Sequence, residues 1–118
     1  MSVLKLTLPW PPRDLSPNAR HHWRRLAAAK KSYRHACAMV ARQQGAGKID
    51  APALAVSLVF VPPDRRGRDL DNLIASMKSG MDGLADVFGV DDRTWTLTHR
   101  MDREHIGGMV RVEVSPCA

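Results

Sequence analysis

Residues 53–73 read ALAVSLVFVPPDRRGRDLDNL, which joins an apolar run to a charged segment and then to the start of a second periodic segment. The run at 53–60 has the length and the valine-rich composition of a buried strand in the middle of a sheet. Beyond it, apolar residues recur at helical spacing and predict a helix over about residues 72–87. Gly80 and Gly83 lie inside that helix, where glycine costs roughly 1 kcal/mol relative to alanine. They indicate either close packing or a break in the helix.

The N-terminal half of the chain is predicted to form one strand and one long helix. The segment 2–10, SVLKLTLPW, alternates polar and apolar side chains in the manner of a half-buried strand. Residues 13–19 follow as a loop, with Ser16 or Asn18 as a cap for the next helix. That helix is predicted over 20–44, which is rich in alanine, lysine and arginine and has no internal proline or glycine.

The C-terminal part is predicted to form a hairpin. Segments 94–101 and 107–115 are rich in threonine, tryptophan and valine, and they flank the short loop DREHIGG. The element order is then β-α-β-α-β-β. This order predicts a single α+β domain over residues 1–118, with a small mixed sheet packed by two main helices.

The composition is that of a globular protein, and its net charge favours a polyanionic partner. It has 118 residues, of which 44% are hydrophobic and 25% charged, enough for one ordinary domain. The formal net charge is +6, and residues 13–48 alone carry nine basic residues against one acidic residue. The remainder of the chain is slightly acidic. One basic element and one acidic patch together suggest a surface that grips a polyanion beside a cation site.

The cysteines and the hydropathy pattern predict the compartment. Cys37 and Cys117 are not in a metal-binding or redox spacing, so we expect no disulfide and a reducing environment. No apolar run approaches the ~18 residues of a membrane span. The N-terminal segment is too short and too polar for a secretory signal. We therefore expect a cytoplasmic protein without a membrane partner.

Asp69 and Asp71 are spaced i, i+2 within the charged segment. In an extended segment such side chains project to the same side, whereas on a helix they would diverge by about 200°. Neighbouring carboxylates repel each other unless a divalent cation compensates, and oxygen ligands select Mg²⁺ or Mn²⁺. A third carboxylate would come from Asp91 or Asp92. The alternative is an exposed loop with local ion pairs, in which Asp71 caps the helix.

A cation held in this way favours phosphodiester hydrolysis, because it activates water and neutralises charge on the phosphorus. Lys78 lies seven residues after Asp71, which corresponds to two turns of a continuous helix. We expect its ammonium group to stabilise the transition state or to hold a phosphate.

Basic residues on either side of the acids are the candidate contacts to nucleic acid. Arg65, Arg66 and Arg68 would contact phosphates next to the scissile one, or else they would screen the carboxylates. Arg24 and Lys31 belong to the basic helix, which is either a face for DNA or an ordinary solvated surface.

The tryptophans and histidines carry less information about chemistry. Trp10 and Trp23 are expected in the core or in an interface, and Trp95 is expected in the core. His21 and His22 are adjacent in sequence, so they would diverge on a helix, and we interpret them as loop or surface residues.

Three motifs resemble the RusA family of Holliday-junction resolvases, which are small, prophage-associated endodeoxyribonucleases. They are LTLPWPP at 6–12, PDRRGRDLDNL at 63–73 and VDD at 90–92, and they occur in the family's order over most of the chain. The resemblance implies a homodimer that cuts four-way DNA junctions with Mg²⁺.

The resemblance also implies which residues hold the cation and act in catalysis. The three family aspartates match Asp69, Asp71 and Asp92. The family pattern places a functional lysine four residues after the second aspartate, where this chain has Ala75, and Lys78 follows one turn later. The role of the lysine would then pass to Lys78.

The leading prediction is a Mg²⁺-dependent endonuclease that resolves four-way junctions in DNA recombination and repair and needs no small-molecule cofactor. A DNA-binding protein of the same fold without cleavage is the alternative, and Ala75 favours it. An RNA-binding accessory protein that uses the basic helix is a third possibility.

Overall fold

The computed structural model describes residues 3–19 and 22–117. Its helices and strands follow the chain as β1 (Leu4–Pro9), α1 (Trp23–Gln43), β2 (Ala53–Val61), α2 (Leu70–Ser76), α3 (Lys78–Phe88), β3 (Trp95–Met101) and β4 (Met109–Cys117). Single 3-10 turns lie at Arg13–Leu15 and Asp92–Thr94. The elements form one α+β domain with a four-stranded mixed sheet, so the predicted fold class is confirmed. None of the helices within the described ranges is long and apolar enough to cross a membrane.

The sheet is organised around β2. The strand order is β1-β4-β2-β3, with β2 antiparallel to β4 and parallel to β3. Every second residue of β2 is buried, namely Leu54, Val56, Leu58 and Phe60. The prediction of a central strand from the apolar run is therefore confirmed.

The predicted C-terminal hairpin is wrong, because β3 and β4 lie on opposite sides of β2. In β4 three alternate valines, Val110, Val112 and Val114, are almost fully buried, as expected for a strand with neighbours on both sides. Most side chains of β3 are exposed, which is typical of an edge strand. The helical crossover after β2 places β3 parallel to it, and the chain then crosses the end of β2 before it enters the sheet again.

The crossing segment, residues 102–108, is held to the end of β2 by backbone hydrogen bonds. The amide of Asp102 donates to the Phe60 carbonyl at 2.8 Å, and that of Gly108 donates to the Val61 carbonyl at 3.0 Å. The Asp102 carboxylate is buried and accepts hydrogen bonds from the amides of Glu104 and His105. These bonds, led by the one from Glu104, lower the pKa of Asp102 to about 2.

We expect Asp102 to make folding stability depend on pH. Its pKa in the folded protein lies below the value of about 3.9 in an unfolded chain. The stabilisation is therefore present above pH ~4 and is lost as the pH falls towards 2. Asp102→Asn should lower the free energy of unfolding at pH 7 and weaken its decline below pH 4, as measured by urea denaturation. The control is Asp50→Asn, since Asp50 is exposed. If the free energy of unfolding fell equally steeply below pH 4 in Asp102→Asn and in the wild type, this role of Asp102 would be contradicted.

Helix α1 begins later than predicted. His22 caps it, with ring Nδ1 accepting from the Arg24 amide at 3.2 Å, so neither Ser16 nor Asn18 is the cap. The predicted first residue, Arg20, and the neighbouring His21 lie outside the described residues. His22 itself is exposed, in agreement with its interpretation as a surface residue.

The buried face of the helix includes Tyr33, Cys37 and Ala41, which belong to the hydrophobic core. The Tyr33 hydroxyl donates to the Pro9 carbonyl at 2.6 Å. This bond ties the middle of α1 to the end of β1. Both cysteines, Cys37 and Cys117, are free.

The helix predicted over 72–87 is divided in two at Met77, which is fully buried. The Ser76 hydroxyl donates to the Asn72 carbonyl at 2.8 Å and lies 3.3 Å from the Leu15 carbonyl. A serine that bonds back to the carbonyl four residues earlier bends helices. The break therefore coincides with a side chain that competes for the helical backbone.

The glycines of α3 allow close helix packing and do not cause the break. A Cβ at Gly83 would overlap the carbonyl oxygen of Arg34, and a Cβ at Gly80 would lie 2.7 Å from Tyr33 Cε2. Helices α1 and α3 therefore approach each other with their backbones nearly in contact.

We expect Gly83→Ala to destabilise the fold by about 1–3 kcal/mol, the usual cost of forcing a methyl group into a packed core. The measurement is chemical denaturation. Gly47→Ala is the matched control, because a Cβ at Gly47 would meet nothing within 4 Å. Equal stability of the two variants would contradict the close packing.

Candidate nucleic-acid and metal site

The proline-rich segment after β1 and the charged segment before α2 lie side by side. The Trp10 ring packs edge-on against Phe60, with ring centres 6.1 Å apart. The Arg68 guanidinium lies 5.6 Å from the centre of the Trp10 ring. A cavity of about 390 Å³ opens between the two segments, and Asp69 and Asn72 lie on its wall. The first two motifs, 57 positions apart at their first residues, are thus in contact in the fold.

The two acids of the charged segment lie at the start of α2. Asp69 has an extended backbone and caps the helix, with Oδ1 accepting from the Asp71 amide at 3.0 Å. Asp71 belongs to the first helical turn, and both residues are exposed. The cap is therefore Asp69 rather than Asp71, and the predicted extended geometry applies to Asp69 alone.

Lys78 lies between two carboxylates at the start of α3. Its Nζ is 2.5 Å from Asp92 Oδ2 and 2.9 Å from Asp82 Oδ1. The hydrogen bond to Asp92, followed by that to Asp82, raises the pKa of Lys78. The ammonium group is therefore charged at neutral pH and cannot act there as a base.

The sequence argument placed Asp71 and Lys78 on one continuous helix, whereas the structure divides this segment into α2 and α3 at Met77. The partner of Lys78 is instead Asp92, which begins the 3-10 turn after α3. Asp82 was not identified from the sequence, although its spacing of four residues from Lys78 on a helix is a signal for an ion pair.

Asp91 and Asp92 have different surroundings. The Asp91 carboxylate accepts from the Arg93 amide at 2.9 Å and pairs with the Arg93 guanidinium at 2.9 Å. The side-chain bond to Arg93, then the backbone bond, lowers the pKa of Asp91 to about 2. Asp91 thus caps the turn, whereas Asp92 contacts the lysine. Both alternatives for the third acid are therefore paired with a basic side chain, Asp91 with Arg93 and Asp92 with Lys78.

The structure does not bring Asp69, Asp71 and Asp92 together as the expected three-carboxylate metal site. Among residues 3–19 and 22–117, no three Asp, Glu, His or Cys side chains are grouped closely enough to hold a metal ion. Asp92 is paired with Lys78, which leaves Asp69 and Asp71 as two exposed carboxylates two positions apart at the start of α2. Mg²⁺ usually takes one or two protein carboxylates and completes its shell with water and substrate phosphate. The donors Asp69 and Asp71 fit that pattern.

The arginines of the charged segment are ordered by Asp64. Arg66 Nε lies 3.2 Å from Asp64 Oδ2, and Arg68 Nη2 lies 2.9 Å from Asp64 Oδ1. The Arg68 side chain is only 15% exposed, whereas that of Arg66 is 78% exposed. Arg68 is therefore a packing residue against Trp10, and Arg65 and Arg66 remain accessible to a ligand.

The basic helix presents accessible cations. Arg24 and Lys31 are exposed, and Arg24 lies over the ring of Trp23 at 5.3 Å. Trp23 is 67% exposed, so of the two expected positions the core is excluded and an interface stays a prediction. Arg34 is held by Asp86 through two bonds of 2.7 and 2.8 Å.

The other two tryptophans pack against the core. Trp10 does so through Phe60, and Trp95 packs near Phe88 while its indole N–H donates to the Val90 carbonyl. For Trp10 and Trp95 the expectation of a core position therefore agrees with the structure.

The likeness of this chain to a solved structure is too low to indicate a function. A complex of IspF from Plasmodium falciparum with CDP is similar with a TM-score of 0.33 and 9% sequence identity. The match covers 75% of this chain but only about half, 51%, of that one.

No family model matches the chain. A relative found by sequence comparison nevertheless shows its family. An uncharacterized protein of Xylella fastidiosa (strain Temecula1 / ATCC 700964) is 41% identical over 110 residues. The match covers 89% of this chain and 72% of that protein. The chain therefore belongs to the same family as this Xylella fastidiosa protein.

Proposed function

We propose that the protein is a Mg²⁺-dependent endodeoxyribonuclease of the RusA type that resolves four-way DNA junctions. The observation that carries the proposal is the contact of Lys78 with Asp92, which pairs a permanent cation with the acid of the third motif. The first two motifs meet at one cavity, with Asp69 on its wall. All three RusA-like motifs thus contribute side chains to contacts that a sequence comparison alone does not reveal.

The acids and the lysine have separate roles in the proposed reaction. Asp69 and Asp71 would hold the cation, which supplies an activated water and neutralises charge on the phosphate. Lys78 carries a positive charge at neutral pH and stabilises the negative charge that develops on the phosphoryl oxygens. Asp82 and Asp92 position its ammonium group.

Binding in this proposal rests on phosphate contacts. The net charge of +6 attracts the nucleic-acid backbone, and Arg65 and Arg66 extend from the loop that leads to the acids. Asp64 orders Arg66 before DNA arrives, so less side-chain freedom is lost on binding. Arg24 and Lys31 would contact more distant phosphates.

A homodimer completes the proposal. A four-way junction has near two-fold symmetry, and its resolution takes two cuts on opposing strands. Two copies related by a two-fold axis present two identical sites, and such an interface buries about 1,200 Å² or more. Sedimentation velocity at micromolar concentration tests this part, and a strict monomer that makes both cuts would contradict it.

The test of the proposed function is cleavage of a labelled synthetic four-way junction. We expect conversion to linear duplexes when Mg²⁺ or Mn²⁺ is added and no conversion with a chelator, while a linear duplex of the same sequence stays intact. The second candidate function is junction binding without cleavage, which is favoured by Ala75 at the position where the RusA pattern has a lysine. Binding without cleavage at any cation concentration would support it, and absence of DNA binding would contradict both.

A further inference from the structure

Two loops meet at the end of β2. The loop at residues 62–68 precedes α2, and the loop at 102–108 precedes β4. The Gly107 amide donates to the Pro62 carbonyl at 2.8 Å, and the Gly108 amide donates to the Val61 carbonyl at 3.0 Å. Gly108 has a φ of +77°, and a Cβ there would lie 3.2 Å from Pro63 Cβ. The loops are thus held at a close and defined separation.

A cavity of about 190 Å³ lies between these loops and is lined mainly by charged side chains. They include four arginines and two aspartates, namely Arg65, Arg66, Arg68, Arg103, Asp64 and Asp102. The cavity therefore has an excess of positive charge even when His105, which also lines it, is neutral.

Both acids of the cavity are already engaged. Asp64 pairs with Arg66 and Arg68. Asp102 accepts from two backbone amides and lies 3.0 Å from His105 Nδ1. Arg65 and Arg103 are exposed and make no ion pair within the described residues. Two guanidinium groups on facing loops are thus left to attract an anion.

We infer that this cavity binds a phosphate group of the nucleic-acid backbone, with Arg65 and Arg103 as its charged contacts. A guanidinium group matches phosphate geometry with two parallel hydrogen bonds, and two such groups from separate loops would hold one phosphate from both sides. The assignment to nucleic acid rests on the proposed function. The loop at 102–108 then becomes a second contact to the substrate, which the sequence motifs do not include.

The first experiment measures DNA binding by fluorescence anisotropy over a range of salt concentrations. For each phosphate contact that is lost, the slope of log affinity against log salt should become shallower by about 0.9. We expect this change in Arg65→Ala and in Arg103→Ala, and no larger change in the double variant if both arginines hold one phosphate. The control is Arg111→Ala, an exposed arginine of β4 that does not line the cavity. An unchanged slope in both single variants overturns the assignment to DNA.

The second experiment separates the anion site from the proposed function. Inorganic phosphate is titrated into the protein, and the ring signals of His105 are followed by NMR. We expect saturable shifts in the wild type and none in the Arg65→Ala, Arg103→Ala double variant. Shifts without any effect of these arginines on DNA binding would assign the site to a free phosphate compound and overturn the proposal. Absence of both effects would overturn the site itself, whether or not the protein cuts junctions.

Discussion

Replacement of Asp71 by asparagine is expected to abolish junction cleavage and to leave junction binding intact or tighter. The substitution removes a carboxylate that would hold the cation, and with it a negative charge that faces the phosphates. Asp71 is exposed, and the cap of α2 is made by Asp69, so the fold should not depend on the Asp71 charge. Cleavage of a labelled junction and anisotropy of the same junction give the two readouts.

The control for this variant is Asp50→Asn, which removes the same charge from an exposed loop residue remote in sequence from the acids. It should cut at the wild-type rate. Loss of binding together with cleavage in Asp71→Asn would mean that Asp71 has a structural role, and unchanged cleavage would exclude it from the site.

Replacement of Lys78 by alanine is expected to slow cleavage by about 10²–10³-fold, the usual effect of removing one charge that stabilises a transition state. The side chain is 62% exposed, so the fold should tolerate its loss. Lys78→Arg keeps the positive charge and should restore part of the rate. Single-turnover cleavage measures both variants.

A second readout distinguishes a catalytic lysine from a structural one. Without the ammonium group, Asp82 and Asp92 lose their shared partner and are free to attract a cation. The cation concentration needed for half-maximal cleavage should therefore change in Lys78→Ala and not in Lys5→Ala, an exposed lysine on β1. Equal rates for Lys78→Ala and wild type would contradict the role of this residue.

The sequence predicts the fold where one physical pattern dominates. The alternation of leucines in β1 and the apolar run of β2 each have a single interpretation, and both strands occur where expected. A break in this helix was one of the two alternatives indicated by Gly80 and Gly83, but its position at Met77 was not predicted. That position depends on the Ser76 hydroxyl and on its contact with the distant Leu15. The insertion of β4 between β1 and β2 depends on how all four strands pair, which is a property of the whole sheet.

Only part of the candidate site could be predicted from the sequence. The proximity of the first two motifs follows from the fold and confirms no chemistry by itself. The contact of Lys78 with Asp92 joins the first residue of α3 to the turn that follows this helix, a pairing that the helical period does not predict. Asp64 was overlooked as the partner of Arg66 and Arg68, since three arginines within four residues suggested ligand binding before internal pairing.

The most direct test of the account is cleavage of a four-way junction whose four strands are end-labelled one at a time. We predict cuts at symmetric positions on two opposing strands, dependent on Mg²⁺ and absent in Asp71→Asn. Intact strands in the presence of bound protein and Mg²⁺, or equal cutting of the matching linear duplex, would contradict the proposed junction resolvase.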